Sequence, residues 1–240
     1  MALRFEQRQW NELARRDPLW AILTDPSKKD GRWPVEEFFA TGRDQIAGVM
    51  QTAARLGFPK TRAAALDFGC GVGRLTQALT DYFDHVAGID ISPAMLDLAR
   101  KYNRSGERCT YVLNTDAGFH NIGSDSLDLV YSMMVLQHVN PRHVRRYIRE
   151  FVRVLRGGGL GIFQLPSRFA PRSVKARLAN SLNMFCRGKI LRDPEVFPMH
   201  GVPRNVVEND LRRAGAQILE VTADHSAGPE WKSYLYAFTK

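Results

Sequence analysis

Three closely spaced glycines and two aspartates further along the chain have the types and spacing of a nucleoside-binding site. Gly69, Gly71 and Gly73 alternate within LDFGCGVGRLT, and residues without a side chain let a ligand approach the backbone. Asp90, in GIDIS, can accept hydrogen bonds from both hydroxyls of a ribose. Asp116, in NTDA, can accept one from the exocyclic amine of an adenine. Together these residues predict a site for an adenosine group.

The glycine spacing argues against ligands that carry phosphates. A dinucleotide-binding turn has the pattern G-x-G-x-x-G, whose third glycine permits close packing of helix against strand. Arg74 stands at that third position here, and the sequence lacks the G-K-[ST] of a phosphate-binding P-loop. The group attached to the adenosine is therefore expected to lie over the glycines without a pyrophosphate.

His138, in LQHVNPRH, is the candidate catalytic residue. It follows a predicted strand at the edge of the sheet where ligands bind. A histidine with a pKa near the reference of about 6.5 can remove a proton from a hydroxyl, and a structural histidine at a helix start is the alternative. His143 is the one other metal-ligating side chain nearby, and no acid occurs between Gln137 and Arg149, so no metal site is predicted.

These residues need a scaffold, and the surrounding sequence predicts strands that alternate with helices. Short apolar runs occur in the order AAALDF, HVAGIDI, CTYVLNTD, LDLVYSMMV and LGIFQLP. That alternation is typical of a parallel sheet covered on both faces. The last two strands, QILEVTAD and WKSYLYAFTK, are joined only by HSAGPE and must form an antiparallel hairpin. The predicted fold class is α/β, a doubly wound seven-stranded mostly parallel sheet with a C-terminal antiparallel hairpin.

Five motifs, in this order and at this spacing, resemble those of the class I S-adenosylmethionine-dependent methyltransferases. LDFGCGVGRLT resembles their first motif, GIDIS their ribose motif and NTDA their adenine motif. LDLVYSMMVLQHV is similar to the fourth-strand motif, and VLRGGGLGIF to the junction usually written L-K-P-G-G, with Gly157 where proline is usual. The resemblance covers roughly residues 63–165. It implies a Rossmann-like methyltransferase fold, S-adenosylmethionine as cofactor and S-adenosylhomocysteine as product.

The expected cofactor site extends beyond these motifs. Asp67 can orient the loop amides or the cofactor's ammonium group, and Arg43 can pair with its carboxylate. Asn114 or the backbone of Ala117 could take the adenine in place of Asp116. The predicted cofactor-binding set is Arg43, Asp67, Gly69, Cys70, Gly71, Gly73, Asp90, Ile91, Met95, Thr115, Asp116, Ala117 and Met133.

The positive charge of the chain is concentrated in one region. The formal net charge is +9, and residues 142–192 contain thirteen Lys or Arg and one acid, Glu150. In PRHVRRYIREFVRVLR the apolar residues recur at helical spacing, so Arg145, Arg149 and Arg153 are expected to face solvent. In RFAPRSVKARLANSLNMFCRGKILR the bases either hold an anionic acceptor or only solubilise an amphipathic lid.

Four segments are predicted. Residues 1–60 form a helical cap, 61–166 the cofactor-binding core, 167–203 a basic helical insertion over the acceptor, and 204–240 a helix and hairpin that complete the sheet. A hydrophobic content of 44% is that of a globular protein, and no window has the ~20 apolar residues of a membrane span. The charged start MALRFEQRQW and three scattered cysteines predict a cytoplasmic protein.

The leading hypothesis is an enzyme that transfers a methyl group from S-adenosylmethionine to a small-molecule acceptor, with oxygen slightly favoured because of His138. An RNA or protein methyltransferase that uses residues 142–192, and a protein that binds the cofactor without catalysis, are the alternatives. Nucleic acid is the less favoured partner, because N/D-P-P-[YF], frequent in base methylases of this fold, is replaced by SMMVLQHV. A dehydrogenase is the weakest hypothesis, because Arg74 and the glycine spacing oppose it.

Overall fold

The computed structural model describes residues 3–170 and 198–240, which form a seven-stranded sheet with helices on both faces. The α-helices are α1 (Arg4–Arg16), α2 (Pro18–Ile22), α3 (Val35–Leu56), α4 (Arg74–Leu79), α5 (Pro93–Tyr102), α6 (Pro141–Val154) and α7 (Arg204–Arg213). The strands are β1 (Ala64–Phe68), β2 (His85–Asp90), β3 (Cys109–Leu113), β4 (Leu127–Ser132), β5 (Leu155–Phe169), β6 (Gln217–Asp224) and β7 (Trp231–Thr239). Short 3-10 turns occur at Pro26–Lys28, Gly106–Arg108 and Leu136–His138.

The strand order of the sheet is β3-β2-β1-β4-β5-β7-β6. Strands β1 to β5 run parallel, and β7 pairs antiparallel with both β5 and β6. The connection between Asp224 and Trp231 is too short for a crossover, so β6 and β7 form a hairpin. The predicted fold class, with one reversed strand near the edge, is confirmed.

The strand order reverses between β1 and β4, which is where open α/β sheets bind their ligands. From β1 the chain proceeds to β2 and β3 on one side, and it crosses to β4 on the other. Strands β1, β2 and β4 end at Phe68, Asp90 and Ser132. The residues that follow them, including the glycine loop and His138, therefore meet at one edge of the sheet.

Apolar layers on the two faces of the sheet hold this edge in place. On one face α6 and α7 pack over β4 and β5, where Phe151 lies 5.9 Å from Phe163 between ring centroids. On the other face α3 and α4 bury Ile46 and Leu79. A third cluster joins α1 and α2 to α3 and α5, so the amino-terminal helices are packed against the cofactor-binding core.

Gly42 does not interrupt the helix in which it occurs, although glycine is unfavourable in a helix interior. Helix α3 is continuous from Val35 to Leu56. A Cβ at Gly42 would lie 2.6 Å from the backbone oxygen of Arg74. The glycine is therefore explained by the close approach of α3 to the start of α4.

The predicted insertion at 167–203 lies mostly outside the described residues, which exclude 171–197. The described part begins within the sheet, because β5 continues to Phe169, beyond the predicted boundary at 166. Within residues 3–170 and 198–240, no helix is long and apolar enough to cross a membrane.

The helical spacing predicts that Arg153 faces solvent, but in the structure its side chain binds a loop. Its guanidinium donates to the carbonyl oxygens of Phe119 at 3.0 Å and Ile122 at 3.1 Å, and it pairs with Glu150 at 2.9 Å. Glu150 in turn accepts from the backbone N–H of Phe119 at 2.8 Å. The spacing of apolar residues located the arginine on the outer side of α6, but it could not show that this loop packs there.

Replacing Arg153 with alanine should lower the free energy of unfolding by about 1–3 kcal/mol, because two carbonyl oxygens lose a charged donor. Arg149→Ala is the matched control, since Arg149 is exposed on the same helix and should change stability by less than ~0.5 kcal/mol. Urea unfolding of both variants measures the difference. Equal stabilities would show that the contacts of Arg153 do not hold the loop.

Candidate active site

A cavity of about 630 Å³ lies at the carboxyl ends of β1, β2 and β4. Its floor includes Gly69, Asp90 and Met133 from the sheet. Trp10 of α1 and Ile22 of α2 cover it. The structure therefore brings the predicted glycine loop, the predicted ribose ligand and the amino-terminal helices to one enclosed site.

The three glycines have positive φ angles of +77°, +52° and +83° at positions 69, 71 and 73, which favour glycine. Gly69 and Gly71 line the cavity, whereas Gly73 does not. A Cβ at Gly71 would lie 2.7 Å from Ile22 Cδ1, and one at Gly73 would lie 2.5 Å from the Tyr111 hydroxyl. Packing against β3 is enough to explain Gly73, and its predicted contact with the cofactor stays a prediction.

Asp90 is fixed by the loops on either side of it. Its Oδ2 accepts from the backbone N–H of Gly71 at 2.8 Å, and its Oδ1 from that of Ser92 at 2.8 Å. Burial raises the pKa of Asp90, while these backbone donors act in the opposite direction. Each carboxylate oxygen keeps a further lone pair for the two hydroxyls of a ribose. Ile91 and Met95 also line the cavity beside it.

At the predicted adenine end the structure places Asn114 in the cavity wall instead of Asp116. The Asp116 side chain is exposed, and its carbonyl oxygen accepts from Tyr147 Oη at 2.7 Å and Asn114 Nδ2 at 3.0 Å. Thr115 and Ala117 are also outside the wall. Asn114 is the first residue after β3 and lies at the ligand edge, and the predicted contact of Asp116 with the adenine stays a prediction.

Asp67, in β1, and Cys70, within the glycine loop, are both buried and do not line the cavity. Asp67 Oδ2 accepts from Thr76 Oγ1 at 2.7 Å, which ties β1 to α4. Burial raises the pKa of Asp67 to about 6, against the opposing effects of Thr76 and the Arg74 charge. Burial also raises the pKa of the Cys70 thiol. Both residues are placed to shape the loop, and their predicted contact with the cofactor stays a prediction.

Replacing Asp67 with asparagine should make the protein less sensitive to pH between about 4 and 6. The folded state holds the proton of Asp67 more tightly than the unfolded state, where the reference pKa is 3.8. Its contribution to stability is therefore present below pH ~4 and lost as pH rises to ~6. As pH rises from ~4 to ~6, the difference in free energy of unfolding between Asp67→Asn and wild type should shift by about 3 kcal/mol in favour of the variant.

Urea unfolding at a series of pH values from 4 to 7 measures this shift, with Asp81→Asn as control because Asp81 is exposed. Stability curves of wild type and Asp67→Asn that run parallel across this range would contradict the assignment.

Arg43 is exposed on α3 and does not line the cavity, so its predicted pairing with a cofactor carboxylate is not supported by its position. Arg74 is the buried arginine of this region. It donates to Thr41 Oγ1 at 3.1 Å and Gln45 Oε1 at 2.7 Å, which joins α4 to α3. These contacts explain why an arginine stands where a dinucleotide-binding turn has its third glycine.

His138 lies in the cavity wall at the end of the 3-10 turn after β4. Its Nδ1 is 3.4 Å from the Pro198 carbonyl oxygen, and its Nε2 is 3.1 Å from the side-chain nitrogen of Gln137. The ring of Trp10 packs edge-on, with centroids 5.7 Å apart. Burial lowers the pKa of His138 to about 4. This shift favours a neutral imidazole at physiological pH and a titration below the predicted value near 6.5.

The amino-terminal helix α1 contributes residues that the motifs do not indicate. Trp10 and Glu6 line the cavity. Gln7 Nε2 donates to the Ile91 carbonyl oxygen at 3.0 Å, and Asn11 Oδ1 accepts from Ser92 Oγ at 2.7 Å. These two bonds dock α1 over the ribose side of the cavity. Helical spacing predicted the helix, but no pattern in it indicated which face would cover the site.

The chain has recognisable relatives among known proteins. Residues 66–163 match the model of a methyltransferase domain family. A probable S-adenosylmethionine-dependent methyltransferase of Saccharomyces cerevisiae is 30% identical over 106 residues, which are 43% of this chain and 35% of that protein. The ubiquinone biosynthesis O-methyltransferase of Shewanella pealeana is 26% identical over 152 residues, 52% of this chain and 64% of that protein. The chain spans less than two thirds of the length of these curated relatives.

Solved structures share the whole fold. The magnesium protoporphyrin IX methyltransferase of Synechocystis PCC 6803, solved with bound S-adenosylhomocysteine, superposes with a TM-score of 0.64 over 98% of each chain, at 16% identity. An identity this low shows a common fold. The domain matched over residues 66–163 and the curated relatives support a class I S-adenosylmethionine-dependent methyltransferase, as the sequence motifs do.

Proposed function

We propose that this protein transfers a methyl group from S-adenosylmethionine to an oxygen of a small-molecule acceptor. The observation that carries the proposal is one continuous cavity that joins Asp90 and the glycine loop to His138. A cofactor and an acceptor can therefore lie side by side, and proximity of the reacting atoms supplies much of the rate in such a transfer.

The residues present fit the cofactor. Asp90 offers two carboxylate oxygens, each held by a backbone N–H, to the ribose, and Asn114 in the cavity wall is our candidate for the adenine contact. The remaining predicted residues that line the cavity are Gly69, Gly71, Ile91, Met95 and Met133. When bound, S-adenosylmethionine supplies a methyl group already activated by its sulfonium. The task of the chain is then to bind, to orient, to exclude water and to accept a proton.

On the acceptor side, His138 is the group placed to take a proton, because its neutral imidazole has a lone pair on one nitrogen. Trp10, Val139, Met199 and Ala227 give this part of the wall an apolar character. Among the described residues, the cavity wall contains the acids Glu6 and Asp90 but no Lys or Arg. These features favour an uncharged, largely apolar acceptor.

The prediction of an anionic acceptor depends on basic residues that fall mostly within residues 171–197, outside the described residues, so it stays a prediction. A cytoplasmic location likewise stays a prediction. The RNA or protein alternative has less support on α6 than the net charge suggests. Arg145 pairs with Asp210 at 2.6 Å, and Arg153 pairs with Glu150 at 2.9 Å, so part of this basic surface is neutralised within the protein.

The first experiment is calorimetry with S-adenosylmethionine, S-adenosylhomocysteine, NAD and ATP, followed by transfer of a labelled methyl group. Micromolar-range binding of the first two ligands is expected, without binding of NAD or ATP. The label should appear on uncharged apolar alcohols or phenols in preference to phosphorylated compounds, peptides or RNA. NAD binding, or labelling of RNA that falls steeply with salt, would overturn the proposal.

A further inference from the structure

We propose that Gln137 positions the imidazole of His138 as a proton acceptor, and that Gln164 fixes Gln137 for this purpose. The inference rests on the proposed function, in which His138 receives the acceptor's proton. Gln137 also lines the cavity, so its side chain can touch an acceptor. Both glutamines are buried, with 3% and 0% of their surface exposed. Buried amide groups need hydrogen-bond partners. Gln137 bonds to His138, and Gln164 bonds to Gln137.

A line of hydrogen bonds runs from the β6–β7 hairpin to the cavity wall. Ser233 Oγ lies 3.4 Å from Asp224 Oδ1 and 2.7 Å from Gln164 Nε2. Gln164 Nε2 lies 3.3 Å from Gln137 Oε1. Gln137 Nε2 then lies 3.1 Å from His138 Nε2. The carboxylate on the hairpin is thus connected to the imidazole through three side chains.

The line is bounded by two groups that can only accept hydrogen bonds, the Asp224 carboxylate and the Pro198 carbonyl oxygen beyond His138. These two acceptors set the direction of each bond between them. The Pro198 carbonyl oxygen faces His138 Nδ1, so the proton of the neutral imidazole belongs on Nδ1. Nε2 then carries the lone pair, and Gln137 must turn its amino group toward it. The Gln137 oxygen consequently faces Gln164, which must present its own amino group.

The Asp224 end of the line requires the same bond directions. Asp224 takes the single proton of Ser233, whose oxygen then accepts from the Gln164 amino group. Gln164 keeps this orientation although its Oε1 has no hydrogen-bond partner among the described residues. Turning the amide over would place two acceptor oxygens, those of Gln164 and Gln137, against each other. The pair of glutamines therefore selects one tautomer of His138.

The same line opposes a proton on Nε2 in the resting protein. An N–H there would face the amino group of Gln137. If both amides turned to accommodate it, the single proton of Ser233 could not serve Asp224 and Gln164 together. The lone pair of His138 is thus kept for a donor that enters the cavity. A hydroxyl that donates to Nε2 displaces the Gln137 amino group, which is then placed to donate to the hydroxyl oxygen.

The tautomer can be measured without knowing the acceptor. Nitrogen-15 labelling of the histidines in the full chain, read through two-bond proton–nitrogen correlations, shows which ring nitrogen of His138 carries the proton. Wild type should show the Nδ1–H form from about pH 5 upward. Among the described residues, the other titratable side chains are His200 beside the ring and Glu6, Asp90 and Tyr147 along the cavity.

Two variants and a control test the role of the glutamines. Gln164→Leu should give a mixture of tautomers, because Gln137 is then free to turn. Gln137→Glu should move the titration of His138 upward by at least ~1 pH unit, because a carboxylate beside Nε2 favours the imidazolium. Gln51→Glu is the control, since Gln51 is exposed on α3, and it should change neither signal. Thermal melting confirms that each variant is folded.

An Nε2–H tautomer in wild type would overturn the inference, as would an unchanged His138 titration in folded Gln137→Glu. Activity provides a separate test. With an acceptor from the labelling assay, Gln164→Leu should lower kcat about tenfold while the KM for S-adenosylmethionine stays constant. If wild type transfers no methyl group to any acceptor, the proposed function fails, whereas the tautomer measurement still judges the role of the glutamines.

Discussion

His138→Ala is expected to lower kcat by about 10²–10⁴-fold, the usual effect of removing a positioned base. The imidazole lies in the cavity wall with its Nε2 facing Gln137 and its Nδ1 facing a carbonyl oxygen, and an acceptor hydroxyl reaches Nε2 by displacing the Gln137 amino group. The affinity for S-adenosylmethionine should stay within about threefold, because the ring does not contact the ribose or adenine region. Steady-state kinetics and calorimetry measure the two effects.

His85→Ala is the matched control, because His85 is exposed at the opposite end of β2, and its kcat should equal that of wild type. His138→Gln keeps a hydrogen-bonding side chain without a basic nitrogen, so it should be as slow as alanine while retaining acceptor binding. More than half the wild-type rate in His138→Ala would show that the histidine is structural and that the acceptor needs no base.

The pH profile should follow from the burial of the ring. Because the pKa of His138 is lowered to about 4, the rate should rise with pH through about 4 and stay level from about 5 to 8 as far as this residue is concerned. An inflection near 6.5 that disappears in His138→Ala would instead mean that the imidazole becomes solvated when ligands bind.

Asp90→Ala is expected to weaken S-adenosylmethionine binding by about 1.5–3 kcal/mol, or roughly 10–150-fold in Kd. The carboxylate is held at 2.8 Å by the N–H groups of Gly71 and Ser92. The variant therefore loses both the acceptor for the ribose hydroxyls and the anchor of the glycine loop. Calorimetry with S-adenosylhomocysteine gives the same quantity for the product.

Asp116→Ala is the control for this prediction, because Asp116 is exposed and outside the cavity, and it should change Kd by less than about twofold. Asp90→Asn retains an acceptor for one backbone amide and should fall between wild type and alanine if the loop anchor matters. A larger loss in Asp116→Ala than in Asp90→Ala would place the adenosine elsewhere.

The sequence by itself determined the elements and the edge at which they meet. Strand and helix periodicity depends on neighbouring residues, and the short connection HSAGPE left the last two strands only an antiparallel arrangement. The positions of Gly69, Gly71 and Asp90 could be predicted for the same reason, because each lies at the end of a strand or within three residues of it, and local pattern fixes that end. These residues line the cavity as expected.

Only the tertiary structure decided which residues face that cavity when they lie a few positions beyond a strand or far away in the chain. Asn114, the first residue after β3, lines the cavity and Asp116 does not, and a shift of one or two residues in a turn changes the direction of a side chain. Arg43 and Arg153 differ from expectation for a related reason, since helical spacing gives a face but not what packs against it.

The electrostatic state of His138 also depended on tertiary contacts. The lowered pKa comes from burial and the Pro198 carbonyl opposes it, while the tautomer depends on Gln137 and on Gln164 from β5. These partners come from segments far apart in the chain, and desolvation is a property of everything that surrounds a group. A histidine after the fourth strand could therefore be predicted from sequence, but its charge and its hydrogen-bond partners could be decided only by the fold.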